Sequence, residues 1–539
     1  MKKFVYLMLA LIMSFSTFAF VGCNESEKDT LMIKAAVSGY GSKWIDELAK
    51  IYTEKTGNKV TVKTIIKDSN AVISEVTSGT SKFDLCFVEH RVETDYNTEV
   101  STLDKTVYKH PFADLSDIYY ENVPGESITL KDKMLPQVYN YVTTKGDDGR
   151  DVQYSVPWMK SLNGIVVNNK VLKKNNYTLN KFPNTTDELF SLCDNLVDKT
   201  AIVPLTYTSN PIGCYWNQVY ETWLFQYYGT GIMKRYYQGY NMDDPYNESK
   251  RYESEIYLSN GLLEAMKVYE KLVNPDNLYV GKTEEQRNNI YLNFTQNQTA
   301  FLNDDNNILF MANGLWMERE MQKNYAQGQL DLEFVKVPVV SALGTKLGIT
   351  DAVLSEIIDY ADNGRTGTKP VFTTTKSDEY TTDEIIDIVA DARSINFSAY
   401  NFHSVVPSYS TKIDMAKEFL KWMATDEGLK AMILSCGGSA AFKTPGSLID
   451  DLYSEGKISK FVYSGNKIAN NGTYTFDNMC DLFTKNGLWN YQLESKALIE
   501  AFANPSKEKR TSPEELWVEN WEYVDTMWDS YLATAGISK

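Results

Sequence analysis

The sequence predicts an α/β fold in which helices cover a mainly parallel sheet. In the first part of the chain, strand-like apolar runs at 31–37, 60–66 and 83–88 alternate with helical periodicity at 43–56 and 71–78. Strands that alternate with helices in this order form parallel β-α-β units. The chain has 539 residues, which is too long for one hydrophobic core, so two or three domains are expected.

The first strand–helix pair has the clearest pattern. The run 31–37 ends in a Ser-Gly-Tyr-Gly-Ser turn, and the helix predicted over 43–56 would end at Gly57-Asn58. One side of that helix collects its large apolar residues, which are Trp44, Ile45, Leu48, Ile51 and Tyr52. Apolar and polar residues then alternate over 60–66, as in a half-buried strand.

A second α/β region follows farther along the chain. It begins with a strand predicted over 161–168 and a helix that Thr185-Thr186-Asp187 would cap. The acidic, threonine-rich segment 345–395 shows weak periodicity, so the sequence predicts an insertion or a flexible excursion there. The last 25 residues predict a helix whose apolar stripe serves packing; the stripe consists of Trp517, Trp521, Val524, Trp528 and Leu532.

The N-terminus has the pattern of an export signal. Met1-Lys2-Lys3 is followed by an apolar run over 4–20 and then by Val21-Gly22-Cys23. A positive start, a short apolar run and a small residue at the cut are typical of a secretory signal. The small residue before Cys23 resembles the lipobox of bacterial lipoproteins, which implies a signal peptide over 1–22, acylation of Cys23 and a tether over 23–30. An ordinary secretory signal with a chance cysteine is the alternative.

Composition narrows the class of function. The net charge is −17 and no basic stripe is present, so nucleic acid is not an expected partner. The chain has 36 Tyr and 10 Trp, residues with an apolar face and a polar handle, which suit carbohydrate clefts as well as large cores. The five cysteines after Cys23 are far apart and show no CxxC spacing, so neither a zinc site nor a disulfide framework is indicated. No cofactor is expected.

Four segments resemble the extracellular solute-binding proteins of ABC importers, specifically the maltose-binding-protein-like carbohydrate binders. They occur in the family's order and cover most of 31–445. They are W-I-D-E-L-A-K-I-Y-T-E-K-T-G-N-K-V from Trp44, the stretch from Val156 through F-P-N-T-T-D-E-L at 182–189, T-A-F-L with N-G-L-W at 299–316, and A-K-E-F-L-K-W with T-D-E-G at 416–428.

The resemblance implies two discontinuous lobes that close on a ligand through a multi-segment hinge. Lobe 1 would comprise 31–157 and 405–465, and lobe 2 would comprise 158–404 and 466–539. The implied function is capture of a carbohydrate, expected to be an oligosaccharide, and its delivery to an ABC permease. The protein would be an exported, lipid-anchored monomer at the cell surface or in the periplasm, and it would not be an enzyme.

Seven residues are candidates for ligand contact, because a sugar needs aromatic plates for its C–H faces and polar groups for its hydroxyls. Packing in the core is the alternative interpretation for each aromatic residue. Trp316 is the leading candidate, since the family resemblance places a sugar-stacking tryptophan there. The remaining candidates are Asn313, Tyr215, Trp216, Tyr40, Glu89 and Trp158.

Three alternatives to sugar capture stay open at this stage. The same fold could bind a peptide, a polyamine or an anion, although the candidate loops are aromatic and poor in Arg. A surface glycosidase would need two carboxylates about 5–10 Å apart, and no spacing in the sequence singles out such a pair. A purely structural surface lipoprotein is the third.

Overall fold

The structure, a computed structural model, describes residues 30–37, 39–66, 68–89, 98–208, 215–322, 324–325, 329–397, 402–475 and 495–538. The signal peptide and Cys23 lie outside these residues. The chain divides into two compact units. Within the described residues, unit 1 comprises 30–159, 402–436 and 440–445, and unit 2 comprises 160–397, 437–439 and 446–538.

Unit 1 is built on the sheet that the first part of the sequence predicts. Thr30–Val37 pairs in parallel with Lys59–Ile66 on one side and with Leu85–Glu89 on the other. Phe402–Val405 then adds to Leu85–Glu89 in the antiparallel direction. The full strand order is Ser439–Ala440, Val156–Lys160, Phe402–Val405, Leu85–Glu89, Thr30–Val37, Lys59–Ile66.

The helices of unit 1 follow from their apolar faces. The helix Lys43–Thr56 has the bounds that the sequence predicts, buries Trp44, Leu48 and Tyr52, and ends at Gly57, whose φ of 77° is left-handed. The other helices are Ser69–Thr77, Ser116–Tyr119, Leu130–Lys133, Pro136–Val142, Ile413–Met423 and Asp426–Cys436. Two small hairpins complete the unit; they pair Val100–Ser101 with Val107–Tyr108 and Thr143–Lys145 with Asp151–Gln153.

Unit 2 has its own sheet around the strand Asn163–Asn168. The strand order is Val203–Thr206, Ile308–Gly314, Asn163–Asn168, Ile395–Phe397, Thr473–Thr475, and Leu332–Val335 also pairs with Asn163–Asn168. The first two of these strands are parallel to each other. All residues of Ile308–Gly314 are buried, as expected for a strand covered on both faces.

Helices surround this second sheet. The α-helices are Asn169–Lys174, Thr186–Lys199, Trp216–Tyr228, Thr230–Tyr236, Asn260–Val273, Glu284–Arg287, Phe294–Leu302, Met317–Met321, Ala342–Lys346, Asp351–Asp362, Thr382–Ser394, Leu448–Ser454, Lys460–Asn471, Ser495–Phe502 and Pro513–Ala535. Short 3₁₀ turns lie at Glu248–Lys250, Ser254–Tyr257, Pro275–Asn277, Asn288–Tyr291, Asp304–Asn306 and Lys507–Lys509. The last α-helix buries Val524, Trp528 and Leu532, so its apolar stripe serves packing as predicted.

The prediction of a flexible excursion over 345–395 is wrong. Asp351–Asp362 and Thr382–Ser394 are helices whose aliphatic residues enter the core of unit 2. Thr350 and Thr381 cap their first turns by accepting from backbone N–H groups. The apolar spacing was present in the sequence, but the many acidic residues on the exposed faces lower the average hydrophobicity of the segment.

The units also differ from the predicted lobes near the third crossing. Leu448–Ser454 and Lys460–Asn471 lie in unit 2, whereas the sequence places the first of these helices and residues 460–465 of the second in lobe 1. The reason is packing against the strand Leu332–Val335, where the Phe334 N–H donates to Ser464 Oγ at 2.9 Å and the rings of Phe334 and Phe461 lie 5.7 Å apart.

Neither a membrane-spanning helix nor a metal-binding cluster occurs among the described residues. No helix there combines the length and apolar character that crossing a membrane requires. No group of three or more His, Cys, Asp or Glu side chains there is arranged to hold a metal ion.

Candidate functional site

A candidate site lies at one edge of the sheet in unit 2. Val203–Thr206 and Ile308–Gly314 are parallel, so their carboxyl ends reach the same edge, which is where open α/β sheets bind ligands. The chain beyond the first strand leads to Tyr215, and the chain beyond the second leads to Leu315 and Trp316. We call this region the Trp316 edge.

Trp316 and Tyr215 meet at this edge. Their ring centroids are 5.4 Å apart with an interplanar angle of 70°, an edge-to-face contact. Both side chains are half-buried. Trp316 immediately precedes the short helix Met317–Met321, and Tyr215 immediately precedes Trp216–Tyr228. The pair therefore offers a braced aromatic surface that is still partly accessible to solvent.

Two glycines set the position of Trp316. A Cβ on Gly314 would lie 2.2 Å from carbons of the Trp316 ring, so the indole occupies the space that any other residue would fill. A Cβ on Gly465 would lie 2.3 Å from Cδ1 of Leu315. Leu315, the residue between Gly314 and Trp316, therefore packs closely against the helix Lys460–Asn471. The N-G-L-W segment is thus fixed on both sides of its turn.

A half-buried carboxylate, Glu318, also holds this turn in place. The Ser459 hydroxyl donates to Glu318 Oε2 at 2.5 Å, and Ser459 caps the helix Lys460–Asn471. Burial raises the pKa of Glu318, while the Ser459 hydrogen bond and the charge of Arg319 act to lower it. Glu318 therefore ties the helix Met317–Met321 to the start of the helix Lys460–Asn471.

Polar groups that the sequence analysis missed complete the Trp316 edge. Asn297 Nδ2 donates to Thr206 Oγ1 at 2.9 Å and to the Tyr207 carbonyl at 3.1 Å. The neighbouring Gln298 Nε2 donates to Glu320 Oε2 at 2.9 Å. The spacing of Glu320, four residues after Trp316, was a readable signal, because such residues share a helix face.

Two predicted contact residues of this unit are buried. Trp216 is 2% exposed, and its indole N–H donates to the Thr206 carbonyl at 2.9 Å. Asn313 is fully buried, and its Oδ1 accepts from the Gly314 N–H at 2.7 Å. This burial favours the packing interpretation for both residues, and direct ligand contact by either one stays a prediction.

The three candidates of unit 1 lie near the carboxyl ends of its strands, in or beside an aromatic cluster. Trp158 stacks on Trp44 with centroids 4.0 Å apart, and it meets Phe402 edge-on at 5.3 Å. Tyr40 meets the same Phe402 at 5.6 Å. Tyr40 and Trp158 are 1% and 4% exposed, so packing accounts for most of their surface.

The polar groups of Tyr40, Trp158 and Glu89 lie in different environments. Burial, together with the nearby Cys436 and Glu89, raises the pKa of the Tyr40 phenol, so Tyr40 stays neutral at physiological pH. The indole N–H of Trp158 is buried and finds no acceptor among the described residues. Glu89 is half-buried at the end of its strand, and its backbone N–H donates to Ser69 Oγ at 2.8 Å.

Comparison with known proteins agrees with this architecture. The model of a family described as bacterial extracellular solute-binding protein matches residues 47–444. No curated protein sequence matches the chain.

Solved structures share the fold at low sequence identity. A cyclic α-maltosyl-1,6-maltose binding protein from Arthrobacter globiformis has a TM-score of 0.56 and 12% identity, and the match covers 93% of this chain and 99% of that one. The GacH receptor of Streptomyces glaucescens has a TM-score of 0.52 and 15% identity, with 95% and 99% of the two chains covered. The fold is therefore the two-lobed fold of periplasmic binding proteins, and the chain belongs to the family of bacterial extracellular solute-binding proteins.

Proposed function

We propose that this protein captures an oligosaccharide and that the Trp316 edge of unit 2 supplies its principal contacts. The observation that carries the proposal is the half-buried pair of Trp316 and Tyr215, whose indole lies against Gly314, with Glu320 one helical turn farther along the chain. An aromatic face suits the C–H face of a sugar ring, and a carboxylate accepts from its hydroxyls.

The structural neighbours support the sugar class. The GacH receptor has been crystallised with acarbose and an acarbose homolog, and the Arthrobacter protein is a binding protein for a cyclic maltosyl-maltose. Both ligands are oligosaccharides. The family itself consists of binding proteins, which supports capture rather than catalysis.

Export and anchoring belong to the same proposal. We propose that Cys23 carries a lipid that holds the protein at the outer side of the cell membrane, and that an ABC permease receives the captured sugar. A tether raises the local concentration of the protein beside the permease without any new contact. Ligand that binds one conformation better shifts the population toward it, and closure of the lobes stays a prediction.

A thermal-shift panel tests the ligand class. The purified protein is melted with maltotriose, cellotriose, xylotriose and mannotriose, and separately with a tripeptide, spermidine, sulfate and phosphate. A ligand that binds only the folded protein raises the melting temperature. A shift with at least one trisaccharide is expected. Shifts with charged solutes alone would contradict the proposal, and release of shorter sugars in the same tubes would indicate a glycosidase.

Replacing the indole then tests the site. Trp316→Ala should remove the trisaccharide shift and leave the unliganded melting temperature nearly unchanged, because Trp316 is only half-buried. Trp521→Ala is the matched control: Trp521 is also half-buried, but its ring packs against the hydrophobic core of unit 2 and its indole N–H donates to Ser254 Oγ at 3.2 Å. It should lower the melting temperature and keep the shift. A large loss of stability in Trp316→Ala with a retained shift would show that Trp316 is a packing residue.

A further inference from the structure

The Trp316 edge contains a carboxylate whose position is set by a buried amide. We propose that Glu320 is the hydroxyl acceptor that selects the sugar at this edge, and that Gln298 is the residue that positions it. The inference rests on the proposed function and adds a specificity residue to it.

Backbone geometry places Glu320 beside Trp316. The Glu320 N–H donates to the Trp316 carbonyl at 2.9 Å, so the two residues are one helical turn apart and their side chains share a face. Glu320, like Trp316, is half-buried. A ring that stacks on the indole would therefore present its rim of hydroxyls to this carboxylate.

Gln298 is fixed before any ligand arrives. It is fully buried in the helix Phe294–Leu302, and its neighbour Asn297 binds the end of the strand Val203–Thr206 through Thr206 and Tyr207. The amide must present its NH₂ group to Glu320, because the flipped amide would set its oxygen against a carboxylate oxygen. The orientation holds although the Gln298 Oε1 atom finds no donor among the described residues.

Glu320 keeps accepting capacity after this bond. A carboxylate has about four lone-pair positions, and Gln298 uses one of them, on Oε2. Among the described residues no lysine or arginine forms an ion pair with Glu320. A buried donor that fixes one carboxylate oxygen, on the helix face that Trp316 shares, leaves an oriented acceptor, and an oriented acceptor discriminates between sugar hydroxyls.

Binding constants of three variants test the assignment, with the trisaccharide of the panel that binds most tightly as the probe. Glu320→Gln keeps the shape but weakens the acceptor, and Gln298→Met keeps the length but removes the donor. We expect the dissociation constant to rise about tenfold in Glu320→Gln and about threefold or more in Gln298→Met. Glu379→Gln is the matched control, because Glu379 is exposed and pairs with Lys376 outside the Trp316 edge. It should leave the constant unchanged.

The double variant separates positioning from general support. If Gln298 acts through Glu320, adding Gln298→Met to Glu320→Gln should weaken binding no further, whereas a merely structural role would add its own loss. Tight binding by wild type that Glu320→Gln leaves unchanged would overturn this inference and spare the proposed function. Additive losses would overturn the role of Gln298. Absence of binding to every trisaccharide by wild type would overturn both proposals.

Discussion

At the residue scale, neighbouring side chains at the Trp316 edge differ in exposure. Tyr215 is half-buried beside Trp316, while the next residue, Trp216, turns its indole to the Thr206 carbonyl inside the unit. The sequence predicts both as contacts, because both follow Pro211-Ile212-Gly213, at a place where the family that the chain resembles presents aromatic residues to the cleft. Their exposure differs because Trp216 is the first residue of the helix Trp216–Tyr228 and faces the sheet, whereas Tyr215 caps that helix.

The first prediction concerns Gly314. In Gly314→Ala the new methyl group would lie 2.2 Å from the Trp316 ring, so the indole must leave its position. Trisaccharide binding should fall at least tenfold, with a smaller effect on stability because the ring can move toward solvent. Calorimetric titration and tryptophan fluorescence measure the two effects. Gly231→Ala is the control, because a Cβ on Gly231 meets nothing within 4 Å. Equal binding by the two variants would contradict the role of Gly314 as the seat of the indole.

The second prediction concerns a buried lysine. Lys160 is fully buried, and its Nζ donates to the Ala469 carbonyl at 2.7 Å. Burial lowers the pKa of Lys160 from 10.5 to about 7. Between these two values the unfolded chain holds the proton more strongly, so stability should rise with pH from about 7 to about 10.5 and should not change on this account below 7. The shift corresponds to an upper bound on the order of 5 kcal/mol at 1.36 kcal/mol per pKa unit.

Lys160→Met should remove this pH dependence. Urea unfolding at several pH values between 6 and 10 should show wild type gaining stability relative to the variant as pH rises. Parallel profiles for the two proteins would show that Lys160 does not change its protonation on unfolding. No local sequence pattern predicts that Lys160 is buried, because its burial depends on residues from distant parts of the chain that pack around it.

At the element scale, the helix pair over 351–394 shows how composition can hide structure. Arg393 is 7% exposed and donates to Asp362 at 2.9 Å and to the Val337 carbonyl at 3.0 Å. Burial tends to raise the pKa of Asp362, but Arg393 and Lys336 outweigh it and hold that pKa below its ordinary value. The ion pair thus joins the ends of the two helices to the rest of unit 2.

The third prediction is that Arg393→Met destabilises the protein by about 3 kcal/mol. Removing the buried guanidinium leaves the carboxylate of Asp362 with less compensation for its charge. Lys336 should keep part of the compensation, since its Nζ lies 2.7 Å from Asp362 Oδ1. Arg365→Met is the control, because Arg365 lies in the connection between the same two helices. Its partner Asp387 is exposed, so the cost should stay below about 1 kcal/mol. Denaturant midpoints compare the two, and similar losses would show that the Arg393 pair is not a structural anchor.

Helices whose apolar face and end signals lie close together in the sequence were the ones that could be predicted. The helix Lys43–Thr56 combines an apolar face with a glycine stop, and both lie within 15 residues of sequence. The helices over 351–394 carry caps at Thr350 and Thr381, but the evidence that they belong to a core comes from partners far away in the chain. Average hydrophobicity was a poor guide there, because burial follows the face of a helix rather than its mean composition.

At the scale of the whole molecule, the division of the chain depends on crossings between the units. The sequence places the first crossing after residue 157 and the second after 404, whereas the structure places them at 159 and between 397 and 402. The predicted and observed divisions differ more in the last part of the chain. There Lys460–Asn471 packs on the strand Leu332–Val335 of unit 2, and Leu448–Ser454 packs on Lys460–Asn471. That strand lies more than 100 residues away in sequence.

The fourth prediction concerns the anchor. Cys23→Ser removes the thiol that a lipid would modify, so the variant should still be exported but should be recovered in the soluble fraction. Cell fractionation with labelled palmitate distinguishes the outcomes. A labelled variant in the membrane pellet would contradict acylation at Cys23. Cys86→Ala is the control, because Cys86 is fully buried and its thiol pKa is raised to about 12, so it has no surface thiol to modify.

The sequence by itself determined the alternation of strands and helices, the two α/β regions and the segment N-G-L-W that carries Trp316, because these signals are local and repeat with the period of each element. Only the tertiary structure decided which aromatic residues stay accessible. Trp316 and Tyr215 are half-buried, whereas Trp216, Trp158 and Tyr40 are buried. The tertiary structure also brought Gln298 to Glu320. Burial depends on what packs against a side chain from distant parts of the chain, and no local pattern encodes it.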